Sequence, residues 1–179
     1  MPDGLPNSTS LVRPPERVLI HSAAIDGRRP TVRTRSGQGG SSGLTTIVAE
    51  ESDADWSQMR FEHAPADDKL YGNPAFGGMM GTGGSTAILS SWEQLRAAGA
   101  SAREMLRQAA AKKWGVDAAT VMVAKGQVTS GNNKASFGEL AAEASALTPP
   151  DPKSLKYKEA SAYEFIGKER DPAKSLGRL

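Results

Sequence analysis

Two glycine-rich stretches hold the residue types in this chain best suited to chemistry: "SGQGG" at residues 36–40 and "GGMMGTGGST" at residues 77–86. Each precedes a pattern that reads as a helix. The first N–H groups of a helix lack partners inside it and carry partial positive charge, and glycine lets a bulky anion approach them. Thr82, Ser85 and Thr86 add hydroxyl donors, and Gln38 adds an amide that can both donate and accept. Phosphate is the natural guest of such a surface. The second stretch lacks the lysine of a P-loop and reads G-x-G-x-x-T, short of the full dinucleotide fingerprint. Spacing alone leaves two readings open: a tight turn that delivers the chain into a helix, or a cradle for an anionic ligand. Two such junctions could converge on one ligand, which favours the cradle.

Other chemistries are excluded by composition. The 179 residues contain no cysteine, so this chain offers no disulfide, thiolate zinc site or iron–sulfur ligation. Its two histidines, His21 and His63, have no metal-ligand spacing around them. The net charge of +2 comes without a dense Lys/Arg run, so nucleic acid is not an expected partner. No stretch is long and apolar enough to read as a membrane span. The proline-interrupted N-terminus lacks the apolar core of a signal peptide. A cytoplasmic location is the default expectation.

These loops must be positioned by a modest core, since only 38% of residues are hydrophobic and 6% aromatic. Residues 1–36, with six arginines and no lysine, read as an irregular arm or a single ragged strand. After "SGQGG", Leu44, Ile47 and Val48 recur at helical spacing up to Glu50 and Glu51, with Ser41 or Ser42 as N-cap. "SQMRFEHAP" alternates Met59, Phe61 and His63 as a half-buried strand would. Residues 64–84 then read as a long loop of the kind that is more often functional than idle. The strongest pattern follows. Ile88, Trp92, Leu95, Gly99, Ala102, Leu106 and Ala109 form one apolar stripe, with Glu93, Arg96, Arg103, Glu104 and Arg107 facing away and Gly115 as C-cap. Gly99 on that stripe predicts close packing against another element. Short strands joined at Lys125-Gly126 and Gly131-Asn132 come next, then a capping box, Ser136 with Glu139, opening a helix that stops before Pro149-Pro150. The fold class is α+β, with a domain at 37–150 and a connecting tail at 151–179 that carries one strand-like run, "AYEFIG".

Over about residues 37–170, from "GQGGSSGLTTIVAEE" through "YGNPAFGGMMGTGGSTAILSSWEQLRAAGASAREMLRQAAAKKWGV" to "VAKGQVTSGNNKASFGELAAEASAL" and "FIGK", the chain resembles the molybdopterin-binding large subunit of the xanthine dehydrogenase and aldehyde oxidase family, most closely the isoquinoline 1-oxidoreductase beta type. The resemblance implies a molybdenum cofactor in its molybdopterin cytosine dinucleotide form. It places Gln38 and Gly39 at the molybdenum-pterin end, and Gly81, Thr82, Gly83, Gly84, Ser85 and Thr86 along the dinucleotide. Such enzymes hydroxylate aldehydes or N-heterocycles and pass electrons to an iron–sulfur small subunit, and for this family a periplasmic location is also open. Two departures accompany the likeness. The family's loop usually reads Glu-Met-Gly-Gln-Gly where this chain has "TRSGQGG", and the family's catalytic glutamate lies in a region of the large subunit that this chain does not include. The implied picture is a partial molybdopterin-binding domain with no catalytic or metal-ligating residue of its own, inactive alone. The competing expectation is a small non-catalytic α+β protein with vestigial phosphate loops.

Overall fold

One long helix organises the chain. The computed structural model describes residues 31–32, 40–59, 62–63, 68–81 and 83–168. Within it, helix α4 runs over Trp92–Trp114, about 35 Å at 1.5 Å per residue. Alanine supplies seven of its 23 residues and arginine three, both strong helix formers, and Gly115 closes it in the left-handed conformation at φ 66°.

The two halves of α4 serve two layers. Its N-terminal half packs on helix α1, Gly40–Ser52, where Leu44, Ile47 and Val48 meet Leu95, with Trp92 and Ala102 alongside. Gly99 is the closest point. A Cβ there would come within 2.8 Å of both the Glu51 Cβ and the Val48 carbonyl oxygen. The C-terminal half, through Met105, Leu106, Ala109 and Ala110, faces an antiparallel meander of strands β3 (Met122–Ala124), β4 (Gln127–Ser130) and β5 (Asn133–Ser136) and helix α5, Phe137–Ser145. Val128, Phe137 and Leu140 complete that core. Both hairpins turn where the sequence places them: Lys125 and Gly126 have φ 49° and 73°, and Gly131 has φ 56°. The capping box is formed, with Ser136 N–H donating to Glu139 Oε2 at 2.7 Å. The class is α+β.

Several expectations are corrected. Helix α1 begins at Gly40, so Ser41 and Ser42 lie inside its first turn and neither is the N-cap. In "SQMRFEHAP", residues Trp56–Gln58 form a 3-10 turn capped by Asp55, and Glu62–His63 form a strand, β2, paired in parallel with β1, Thr31–Val32, while Phe61 lies outside the described residues. Asp55 accepts from the Ser57 N–H at 2.9 Å, a local bond that favours the turn over extended chain. The loop at 64–84 holds a helical turn, α2 (Asp68–Tyr71), and a 3-10 turn, Pro74–Phe76. The apolar stripe is also interrupted. Ile88 belongs to a separate short helix, α3 (Thr86–Leu89), and Ser90 and Ser91 separate it from α4. That break brings Ile88 against α1, with its Cδ1 2.8 Å from where a Cβ on Gly43 would stand.

The tail differs most from expectation. "AYEFIG" forms no strand; Ala160–Ala162 is a 3-10 turn, and the chain after it lies on the end of α1. Glu50, fully buried, accepts the N–H groups of Glu164, Phe165 and Ile166 at 3.0, 2.7 and 3.0 Å and the Lys158 ammonium at 3.2 Å. Glu51, also buried, accepts from Arg96 Nε at 2.7 Å and from the Lys158 N–H at 3.1 Å. Arg96 and Arg103 therefore turn toward the tail and do not face away. Arg96 lies between the Trp92 and Tyr157 rings and donates to the Lys158 carbonyl, while Arg103 reaches Asp53 and the Lys156 carbonyl. Burial alone pushes the Glu50 carboxyl up, but the three backbone donors and Lys158 together hold it below the usual value. Lys158 is raised: its burial is outweighed by Asp53, 2.6 Å away, and by Glu50. A buried charge persists only when it is paired and fully hydrogen-bonded, and this seam meets that condition.

Candidate functional site

The site is built on the chain between α2 and α4. Residues 68–86 fold back on themselves as a compact loop whose ends and middle touch. Gly72 allows the tightest contact, since a Cβ there would overlap the Gly78 carbonyl and crowd that of Asp68. Gly77 and Gly78 turn the chain at φ 63° and 88°. Asp68 Oδ1 accepts the Met80 N–H at 2.7 Å across the loop. The Phe76 ring forms its floor, and Cβ atoms on Gly81 and Gly83 would sit 3.3 and 3.2 Å from it.

Asn73, fully buried, is the internal hub that sequence reading missed. Its N–H donates to the Met79 carbonyl at 2.9 Å, its carbonyl accepts from Phe76 and Gly78 at 2.9 and 3.0 Å, and its Oδ1 accepts from Ala75 at 3.1 Å. Its Nδ2 donates to Thr86 Oγ1 at 2.9 Å and lies 3.5 Å from the Gly81 carbonyl. One signal was available: "GNPAFG" sets an Asn immediately before Pro and two glycines around it, a turn-forming composition.

The sequence-predicted site residues divide into three groups. Gln38, Gly39 and Thr82 lie outside the described residues. Gly81, Gly83 and Thr86 face inward: the glycines press on Phe76, and Thr86 donates its hydroxyl to the Gly83 carbonyl at 2.9 Å while accepting from Asn73. Gly84 and Ser85 face out. Both are exposed and left-handed, at φ 54°, and their backbone N–H groups and the Ser85 hydroxyl make no hydrogen bond among the described residues. Among the described residues, only the Thr86 methyl, at 3.7 Å, approaches the position of a Gly84 Cβ.

Among the described residues this is an exposed surface of unpaired donors on a braced loop, and such a surface suits an anion. The first turn of α1 stands beside it through the Gly43–Ile88 contact. Among the described residues, no group of three or more His, Cys, Asp or Glu side chains could hold a metal ion. No helix there is long and apolar enough to cross a membrane.

Comparison with known proteins bears on the same residues. Residues 31–177 match the family described as molybdopterin cofactor-binding domain. The chain is 40% identical over 138 residues to the isoquinoline 1-oxidoreductase subunit beta of Brevundimonas diminuta, covering 75% of this chain and 17% of that protein. It is 33% identical over 157 residues to the membrane-bound aldehyde dehydrogenase [pyrroloquinoline-quinone] of Gluconacetobacter polyoxogenes, covering 85% of this chain and 19% of that one. The chain thus spans less than a fifth of either relative. With the matched region taking in both glycine loops, all of α4 and the tail that closes on Glu50, this chain belongs to the molybdopterin cofactor-binding domain family of the molybdenum hydroxylases.

Proposed function

We propose that this chain is the part of a molybdenum hydroxylase large subunit that holds one stretch of a molybdopterin cytosine dinucleotide. Gly81, Thr82, Gly83, Gly84, Ser85 and Thr86 lie along its phosphates, and Gln38 and Gly39 lie toward its molybdenum end. One observation carries this reading: Gly84 and Ser85 are exposed and left-handed, and their two adjacent backbone N–H groups and the Ser85 hydroxyl have no hydrogen-bond partner among the described residues. The group fits these residues because phosphate needs donors, clearance and no competing carboxylate. Asp68, the one acidic residue between positions 68 and 86, is engaged by the Met80 N–H.

When bound, the cofactor supplies the two-electron chemistry by which the full subunit oxidises aldehydes or N-heterocycles. This chain's residues bind and orient it, and none of them is assigned a catalytic role. In this reading an iron–sulfur small subunit takes the electrons, which is compatible with the absence of cysteine from this chain.

Calorimetric titration with inorganic pyrophosphate tests the reading. Asn and Asp tolerate the left-handed conformation of Gly84, so Gly84→Asn and Gly84→Asp change the open face without forcing the backbone. Gly84→Asp, which puts a carboxylate where the anion sits, is expected to weaken binding at least about tenfold more than Gly84→Asn. Equal affinity of the parent chain and both folded variants, or no saturable binding by the parent, would favour a vestigial loop that is only the turn into α3.

A further inference from the structure

Resting on the reading of this loop as an anion cradle, we infer that Asn73 is a positioning residue: acting through Thr86, it holds the Gly83–Gly84 peptide in the one orientation that turns a donor toward the ligand. The chain of bonds has a fixed direction. Asn73 Nδ2 can only donate, so Thr86 Oγ1 accepts from it at 2.9 Å and spends its own proton on the Gly83 carbonyl, also at 2.9 Å. The Thr86 N–H donates to the same carbonyl at 3.1 Å. Gly83 C=O and Gly84 N–H belong to one planar trans peptide and point in opposite directions. A carbonyl pinned inward thus sets the Gly84 N–H outward, on the exposed face.

This control has a chemical purpose. A peptide between two glycines meets little steric resistance to rotation. Were it to flip, the same face would present a carbonyl oxygen, and a donor surface for phosphate would become a repulsive one. Asn73 is suited to prevent this because it is itself immobile. Its backbone N–H, backbone carbonyl, Oδ1 and Nδ2 are all engaged, and the residue is fully buried. Aspartate in its place would keep the shape and the acceptor toward Ala75 but reverse the bond to Thr86. The hydroxyl would then donate to the carboxylate, leaving the Gly83 carbonyl with the longer bond from the Thr86 N–H alone.

The test uses the full chain, its Asn73→Asp, Thr86→Val and Thr86→Ser variants, and the Asn73→Asp/Thr86→Val double variant, each checked for fold by circular dichroism. The Gly84 amide resonance is followed in the free proteins, and inorganic pyrophosphate is titrated into each. Thr86→Val is isosteric and cannot relay the bond, whereas Thr86→Ser keeps it. Asn73→Asp and Thr86→Val are expected to shift or broaden the Gly84 amide and to weaken pyrophosphate about ten- to a hundredfold, the scale of one buried hydrogen bond. Thr86→Ser should stay near the parent, and the double variant should lose no more than either single one. An unchanged Gly84 amide in folded Asn73→Asp and Thr86→Val would overturn the inference. Loss of binding in Thr86→Ser equal to that in Thr86→Val would overturn it as well. A parent chain that does not bind pyrophosphate, while its Gly84 amide still responds to Asn73→Asp, would instead overturn the cradle reading on which the inference rests.

Discussion

Ser85 holds a left-handed conformation that glycine would adopt at lower cost, with φ 54° and no hydrogen bond from its side chain to cap α3. A non-glycine residue in that region costs about 1–2 kcal/mol, and such strain is usually retained for function. Replacing Ser85 with Gly should raise stability by up to about 1 kcal/mol in urea denaturation. Pyrophosphate affinity should fall in the same variant, because a donor is gone. A variant that is both more stable and equally competent would remove the functional reason for the serine. Glu50 makes the opposite case, a residue whose charge the fold uses. Its carboxyl is held below 4.5, so its stabilising contribution is complete above the unfolded value and is lost as pH falls through the lower folded value. Glu50→Gln should destabilise by about 3 kcal/mol at neutral pH, because three backbone N–H groups and Lys158 then face an amide. The variant's stability should also fall less steeply than the parent's below pH 4.5. Equal slopes in denaturation from pH 5 to pH 3 would show that another carboxylate governs the acid limb.

At the scale of elements, the contact between α1 and α4 depends on Gly99. Alanine would gain about 1 kcal/mol of helix propensity, but its Cβ would stand 2.8 Å from both the Glu51 Cβ and the Val48 carbonyl. Neither neighbour can move without disturbing the buried Glu51 seam, so Gly99→Ala should lower stability by about 1–3 kcal/mol. Thermal melting reads this directly, and an unchanged or higher midpoint would mean the helices separate freely. The sequence carried this contact openly, because a glycine on the apolar stripe of a strong helix needs a packing reason. The Gly115 cap, both hairpin turns and the Ser136–Glu139 box were equally legible, since each is set by residues within a few positions of one another. Features decided at long range were not. The break at Ser90 and Ser91 contains neither proline nor glycine and goes with the docking of Ile88 at Gly43, far away in sequence. Glu50 and Glu51 look like the polar end of an amphipathic helix until a segment more than a hundred residues later supplies their donors. In the candidate site, the glycines announced the loop. Asn73 did not stand out, because its bonds run mostly to backbone atoms, which leave no trace in residue type.

For the whole molecule, the fold sets the first turn of α1 beside α3 through the Gly43–Ile88 contact and fastens the C-terminal end of α1 with a charged seam. The core is small and divided in two, and Met79 and Leu89, beside the candidate site, remain 63% and 80% exposed. That arrangement fits a domain whose site is completed by the remainder of a larger subunit. The account therefore stands or falls on whether the donor surface meets the cofactor. The most direct measurement is a titration of the isotope-labelled chain with molybdopterin cytosine dinucleotide, following every assigned backbone amide. The account predicts saturable shifts centred on Gly84 and Ser85, extending to the first turn of α1, with the β3–β5 meander unmoved. Shifts that leave Gly84 and Ser85 unchanged while the cofactor binds elsewhere on the chain would contradict it.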